Sequence, residues 1–186
     1  NSATSKILMG DGSDIIRSTV TVAATSTKTV RGIINFGIID LGIGNNTIIA
    51  SNGTVQSWIE NAAGASILSG DGSDTITSQT IGTTRGYIKN DGTISLGGGN
   101  DQINGVINNT GLIDMGAGDD SIVGSAQGGK ILLGAGNDYI IGSASTGVDF
   151  GDGDDKLICS GNSNSIGVIN GGNGIDTLLL KQGAYQ

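Results

Sequence analysis

Ile113-Asp114-Met115-Gly116-Ala117-Gly118-Asp119-Asp120-Ser121-Ile122 reads as apolar-x-apolar-Gly-x-Gly-x-Asp-x-Ile. Relatives of this stretch run through the whole chain, with first glycines at Gly10, Gly42, Gly70, Gly97, Gly134, Gly151 and Gly172. A motif repeated at this spacing marks stacked units that cannot bury an apolar face alone. The expected organisation is therefore one repeating domain over residues 1–186.

Two aliphatic columns flank the motif. Ahead of it stand Ile7, Ile39, Ile67, Ile94, Ile113, Ile131, Val148 and Ile169. Behind it stand Ile16, Ile48, Ile76, Ile103, Ile122, Ile140, Leu157 and Leu178. Alternate residues of a strand share a face, so both columns can point inward while their neighbours meet solvent. Glycine recurs too often for helices, and no 3.6-residue period is sustained. The pattern predicts an all-β parallel β-solenoid of about eight coils.

The motif glycines are spaced 32, 28 and 27 residues apart and then 19, 18, 17 and 21. Wide three-strand coils are thus expected over residues 1–95 and narrow two-strand coils over 96–186. The alternating, β-branched run after Ile16, from Arg17 to Ala24, reads as a strand. Opposite the motif a second corner recurs at Ile34-Asn35-Phe36-Gly37, Ile88-Lys89-Asn90-Asp91-Gly92 and Ile107-Asn108-Asn109-Thr110-Gly111, with a looser copy at Asn61-Ala62-Ala63-Gly64. Asn and Gly suit corners, and stacked asparagines can share amide hydrogen bonds between coils.

Composition narrows the function classes. The 186 residues hold 35 glycines, no proline and no histidine, and the net charge is −8. An acidic balance disfavours nucleic acid and anionic membrane surfaces as partners. No run of eighteen apolar residues is present, so no helical membrane span is expected. Cys159 is the one cysteine, which together with the absence of histidine excludes an intrachain disulfide and thiolate or imidazole metal sites. It reads as a small apolar residue two positions past Leu157. The start at Asn1, without methionine or leader, reads as a processed product or an excised piece.

Twelve of the seventeen acids lie inside the motif windows. Glycine turns expose carbonyl oxygens, and the aspartate after the second glycine adds a carboxylate. One turn offers too few oxygens for Ca²⁺, but two stacked turns offer two carboxylates and several carbonyls. Mg²⁺, with its strict octahedron and retained water, suits such a slot less well.

Gly171-Gly172-Asn173-Gly174-Ile175-Asp176-Thr177-Leu178-Leu179 matches in full the nonapeptide Gly-Gly-x-Gly-x-Asp-x-apolar-x. In this it resembles the repeats-in-toxin (RTX) family, whose repeats form calcium-bound parallel β-rolls in secreted bacterial proteins. The other copies depart from that family at its first glycine, replaced by Met9, Leu41, Ser69, Leu96, Met115, Leu133 and Phe150. They also stand a full coil apart rather than back to back, which implies calcium along one edge only.

Carried over by position, the resemblance implies metal ligands at Asp14, Asp74, Asp101, Asp120, Asp138, Asp155 and Asp176. Asn46 stands in for aspartate in the second repeat; its amide oxygen can still ligate weakly, but with the charge lost the sites flanking that turn are expected to be weaker or empty. Turn carbonyls are implied at Gly10 and Gly12, Gly70 and Gly72, Gly97 and Gly99, Gly116 and Gly118, Gly134 and Gly136, Gly151 and Gly153, and Gly172 and Gly174. A right-handed coil, secretion and a bacterial source are further implications of the likeness.

Four function classes remain. An enzyme acting on polysaccharide would need a basic residue such as Arg17, Arg31 or Arg85 beside carboxylates, yet no nucleophile stands beside a plausible base. No enzymatic activity is expected. Ice binding would use Thr19, Thr21, Thr25, Thr27 and Thr29, but these fall in one coil and do not repeat in register. Trp58 or Tyr87 could contact a cell-surface polysaccharide. An RTX-type accessory or secretion module of a larger exoprotein is the alternative reading. The preferred expectation is a secreted, calcium-binding structural unit of a fibre, sheath, surface layer or adhesin, able to assemble with copies of itself through the solenoid ends.

Overall fold

The computed structural model describes residues 5–20, 30–52, 57–79, 86–145, 147–160 and 167–181. No helix occurs among the described residues. The first coil holds β1 (Lys6–Leu8), β2 (Ile15–Val20) and β3 (Val30–Asn35). The second holds β4 (Ile38–Asp40), β5 (Thr47–Asn52) and β6 (Ser57–Asn61), and the third β7 (Ser66–Leu68), β8 (Thr75–Ser78) and β9 (Tyr87–Asn90). The fourth has β10 (Thr93–Ser95), β11 (Gln102–Asn104) and β12 (Val106–Asn109). The fifth has β13 (Leu112–Ala117), β14 (Ser121–Val123) and β15 (Ala126–Gln127). Two named strands each form the last three coils: β16 (Lys130–Ala135) with β17 (Tyr139–Ile141), β18 (Val148–Asp152) with β19 (Lys156–Ser160), and β20 (Ile169–Asn170) with β21 (Thr177–Lys181).

Like strands of successive coils pair in parallel and build three sheets of eight, eight and five strands. This is the expected parallel β-solenoid. The registers follow the two aliphatic columns residue for residue. Ile94 pairs with Ile67 and Ile113, and Ile103 pairs with Ile76 and Ile122. A third column, not singled out from the sequence, lines the third sheet through Ile33, Ile59, Ile88, Ile107 and Ala126, extended by a bridge to Ala144. The three columns meet in one continuous apolar core. Each fully buried aliphatic side chain in it contributes about 1.5–3 kcal/mol.

The narrowing differs from expectation. The third strand does not end at residue 95, because β12 and β15 carry it through Gln127. The coils shorten by losing a connection instead. In coils four to six the second sheet turns into the third through one or two residues, beginning with Gly105, Gly124 or Gly142. Gly124 has φ 150°, and a Cβ there would sit on the Gly105 carbonyl oxygen beneath it. Only glycine meets both demands. In the third coil that position is Ser78, where β8 ends; residues 80–85 fall outside the described part. Of the strand read from Arg17 onward, β2 covers residues as far as Val20, and the remainder lies outside the described residues.

The asparagine corners form the expected amide ladder. Asn35 Nδ2 donates to Asn61 Oδ1 at 2.8 Å, Asn61 to Asn90 at 2.7 Å, and Asn90 to Asn109 at 2.8 Å. All four side chains are buried. Each amide also donates to a carbonyl of the following strand region, as Asn61 does to Thr93 O at 2.9 Å. Buried polar groups must be paired, and here they pair across coils, which fixes the vertical register.

A candidate cation column along one edge

The Gly-x-Gly-x-Asp turns stack at the junction of the first two sheets. At Gly116 φ is 104°, and a Cβ would collide with the Gly97 carbonyl oxygen in the coil below. Every motif glycine except Gly70 has a positive φ of this kind. The turn carbonyls are thereby brought into line, coil upon coil. At the position where RTX repeats begin with glycine, Leu41, Leu96, Met115, Leu133 and Phe150 are buried in the core. That departure from the family pattern is a packing choice, since the side chain fills the interior beside the turn.

Behind the glycines the motif aspartates form a continuous column. The Asp74 N–H donates to Asp101 Oδ1, Asp101 N–H to Asp120, Asp120 N–H to Asp138 and Asp138 N–H to Asp155, each at 2.7 Å. The Asp155 N–H reaches Asp176 Oδ1 at 3.1 Å. Asp74, Asp101, Asp120, Asp138 and Asp155 are all at most 2% exposed. One oxygen of each carboxylate is satisfied by this ladder. The other, Oδ2, is buried without a hydrogen-bond partner in Asp14, Asp74, Asp101, Asp120, Asp138 and Asp155.

Burial of such groups works against their charge. It pushes Asp101 up to about 7, against the stabilising Asp74 N–H, with the charges of Asp120 and Asp74 adding to the rise. Asp120 is likewise driven to about 7 and Asp138 to about 6, burial being the main cause in each. Asp74 and Asp155 are also raised by burial. A stack of buried carboxylates without donors calls for a proton or a cation.

Asn46 interrupts the column. Its Oδ1 is taken by the Asp14 N–H at 3.0 Å, and its own N–H donates to Asp74 Oδ1 at 2.7 Å. Its amide nitrogen donates to Gly44 O at 2.9 Å, Gly42 O at 3.4 Å and Ser69 Oγ at 3.2 Å. The amide oxygen expected to ligate an ion is therefore engaged with backbone, and the nitrogen is turned toward the turn carbonyls. These contacts show what surrounds the second side-chain atom at this position: carbonyl oxygens of the residue's own turn and a hydroxyl of the next coil.

The donor set fits a hard divalent cation. It consists of carboxylate and peptide oxygens only, the chemistry that Ca²⁺ takes. Among the described residues no point gathers three or more acidic or thiol side chains. A shell here would draw on neighbouring aspartates of the column, turn carbonyls and water.

Outside the column, a second ladder runs along the exposed rim with opposite polarity. Asp119 N–H donates to Asn100 Oδ1, Asn137 N–H to Asp119 Oδ1, and Asp154 N–H to Asn137 Oδ1, at 2.7–2.9 Å. Sequence reading missed it, although the residue just before each motif aspartate is polar in seven of the eight copies.

The residues weighed for other functions lie on different parts of the chain, and some fall outside the described residues. Arg17 lies exposed on β2, Arg31 lies on β3, and Arg85, Thr21, Thr25, Thr27 and Thr29 are outside the described residues. Thr19 contacts the Ser51 hydroxyl at 3.3 Å. Trp58 and Tyr87 stand on neighbouring strands with ring centroids 5.3 Å apart, tilted by 41°. Beside them Lys89 pairs with Glu60 at 3.2 Å and Asp91 at 2.6 Å. Cys159 packs against the core, and burial raises its thiol pKa. The chain matches no protein-family model, no curated protein and no solved structure.

Proposed function

We propose that this chain is a calcium-stabilised β-solenoid with a structural role outside the cell, as a unit of a fibre, sheath, surface layer or adhesin. One observation carries the ionic part: the buried, donorless Oδ2 atoms of Asp74, Asp101, Asp120, Asp138 and Asp155 in consecutive coils. When bound, calcium supplies the positive charge that lets neighbouring carboxylates stay ionised inside the fold. Asp101 and Asp120, with the carbonyls of Gly97, Gly99, Gly116 and Gly118, are the first choice for ligands. The residues do the rest: their N–H ladder holds each carboxylate in line with the next.

The location rests on the likeness of the motif to RTX repeats. In the first described coil Leu8 and Ile15 are exposed, and in the last Val168, Ile175 and Leu180. Next to the latter lies an open cleft of about 380 Å³, with Phe150, Leu157, Ile169 and Leu178 in its lining. Stacking of one copy on another at these coils would bury those side chains.

Sedimentation velocity in millimolar calcium and after chelation tests both parts. Calcium-dependent polymers are the expected result, and a compact particle that expands on chelation would support the ionic part alone. A calcium-bound monomer would favour the accessory-module alternative. Identical profiles with and without chelator would overturn the calcium reading.

A further inference from the structure

We propose that Asn46 is a built-in substitute for the cation, so that the second turn binds no ion and stays closed when calcium is withdrawn. This deepens the calcium reading of the other turns and rests on it for them, but its central claim concerns the chain's own hydrogen bonds. Asn46 keeps both column bonds that an aspartate makes, receiving the Asp14 N–H and donating its own N–H to Asp74. What changes is the second side-chain atom. In six aspartate turns it is a buried oxygen with no donor. In Asn46 it is an NH₂ that donates to Gly42 O, Gly44 O and Ser69 Oγ.

The orientation of the amide is dictated by its neighbours. If it were flipped, Oδ1 would face two carbonyl oxygens and the NH₂ would face the Asp14 N–H, losing the bonds to Gly42, Gly44 and Asp14 and keeping at most one from the Ser69 hydroxyl. The turn thus has two ways to satisfy its inward carbonyls: a cation beside a carboxylate, or the NH₂ of an amide. The second excludes the first, because two N–H bonds point at the place an ion would take and one formal charge is gone. The column is thereby divided. Asp14 stands alone on one side, and Asp74 to Asp176 form the continuous cation-binding run on the other.

Two reciprocal substitutions test this. Asp120→Asn is expected to place an NH₂ toward the carbonyls of its own turn, raising the melting temperature by several degrees in EDTA at pH 8 and lowering the calcium taken up per chain. Asn46→Asp is expected to do the reverse, lowering the melting temperature in EDTA and raising calcium uptake. Melting is followed by circular dichroism, and uptake by isothermal titration with calcium chloride. The proposal is overturned if Asp120→Asn melts lower than the parent in EDTA, or if Asn46→Asp leaves melting in EDTA unchanged. Should the parent take up no calcium, the reading of the other turns fails, while the order of melting temperatures in EDTA still decides the role of the amide.

Discussion

The main-chain N–H of Asp101 donates to Oδ1 of Asp120 at 2.7 Å, while Oδ2 of Asp120 is buried with no donor. This half-satisfied carboxylate, repeated from coil to coil, ties the stacking of the backbone to the ionic state of the edge. The consequences can be measured.

The metal-free chain should lose stability as pH rises. Asp101 and Asp120 are held at about 7 and Asp138 at about 6 in the fold, above the ~3.9 of an unfolded aspartate. Between these limits the folded chain binds more protons than the unfolded one, so their stabilising contribution is complete below ~4 and lost as pH passes through 6 to 7. Urea midpoints in EDTA are expected to be higher at pH 5 than at pH 8. Millimolar calcium at pH 8 should restore the loss; a midpoint in EDTA that rises with pH would refute this.

Gly10 and Gly116 occupy the same motif position with φ of 88° and 104°. Nothing lies within 4 Å of a Cβ at Gly10, whereas one at Gly116 would meet the Gly97 carbonyl. Gly10→Ala should cost about 1–2 kcal/mol from the backbone conformation alone. Gly116→Ala should cost well over that and prevent a cooperative transition in urea. Equal effects would mean that close stacking of the turns is not what requires glycine.

Asn61→Ala should destabilise by about 2–4 kcal/mol, because it leaves the buried Asn35 amide and the Asn90 Oδ1 without their partners. The same change at exposed Asn108, one residue from the ladder, should fall within ±0.5 kcal/mol. Urea unfolding of both variants gives the comparison.

Ile103→Ala removes a fully buried member of the second column and should cost about 2–5 kcal/mol. Leu178 is the last member of that column yet 54% exposed, so Leu178→Ala should cost far less in the monomer. In a polymer the order should close up, since stacking buries Leu178. Melting curves below and above the assembly concentration separate the two cases.

Much of this architecture is legible in the residues. Ile7 to Ile169 and Ile16 to Leu178 could be aligned from the motif alone, and they pair in register because a two-residue strand period leaves one inward choice. The asparagine ladder was legible for a similar reason: Asn35, Asn61, Asn90 and Asn109 each stand two or three residues before a corner glycine. The third column was harder to see. A bulge between Arg31 and Ile33 shifts its register in the first coil, and alanine replaces isoleucine from Ala126 onward. The tight corner at Gly105, Gly124 and Gly142 stood two residues past the second column, but glycine is so common here that its role was hidden.

The sequence by itself determined the repeat, the inward faces and the gathering of carboxylates on one edge, because these follow from spacing and side-chain period. Only the tertiary structure decided which oxygen of each aspartate the next coil satisfies, and which way the Asn46 amide points. Those choices depend on donors and acceptors brought together from different coils, 17 to 32 residues apart along the chain. No local pattern encodes them; stacking does.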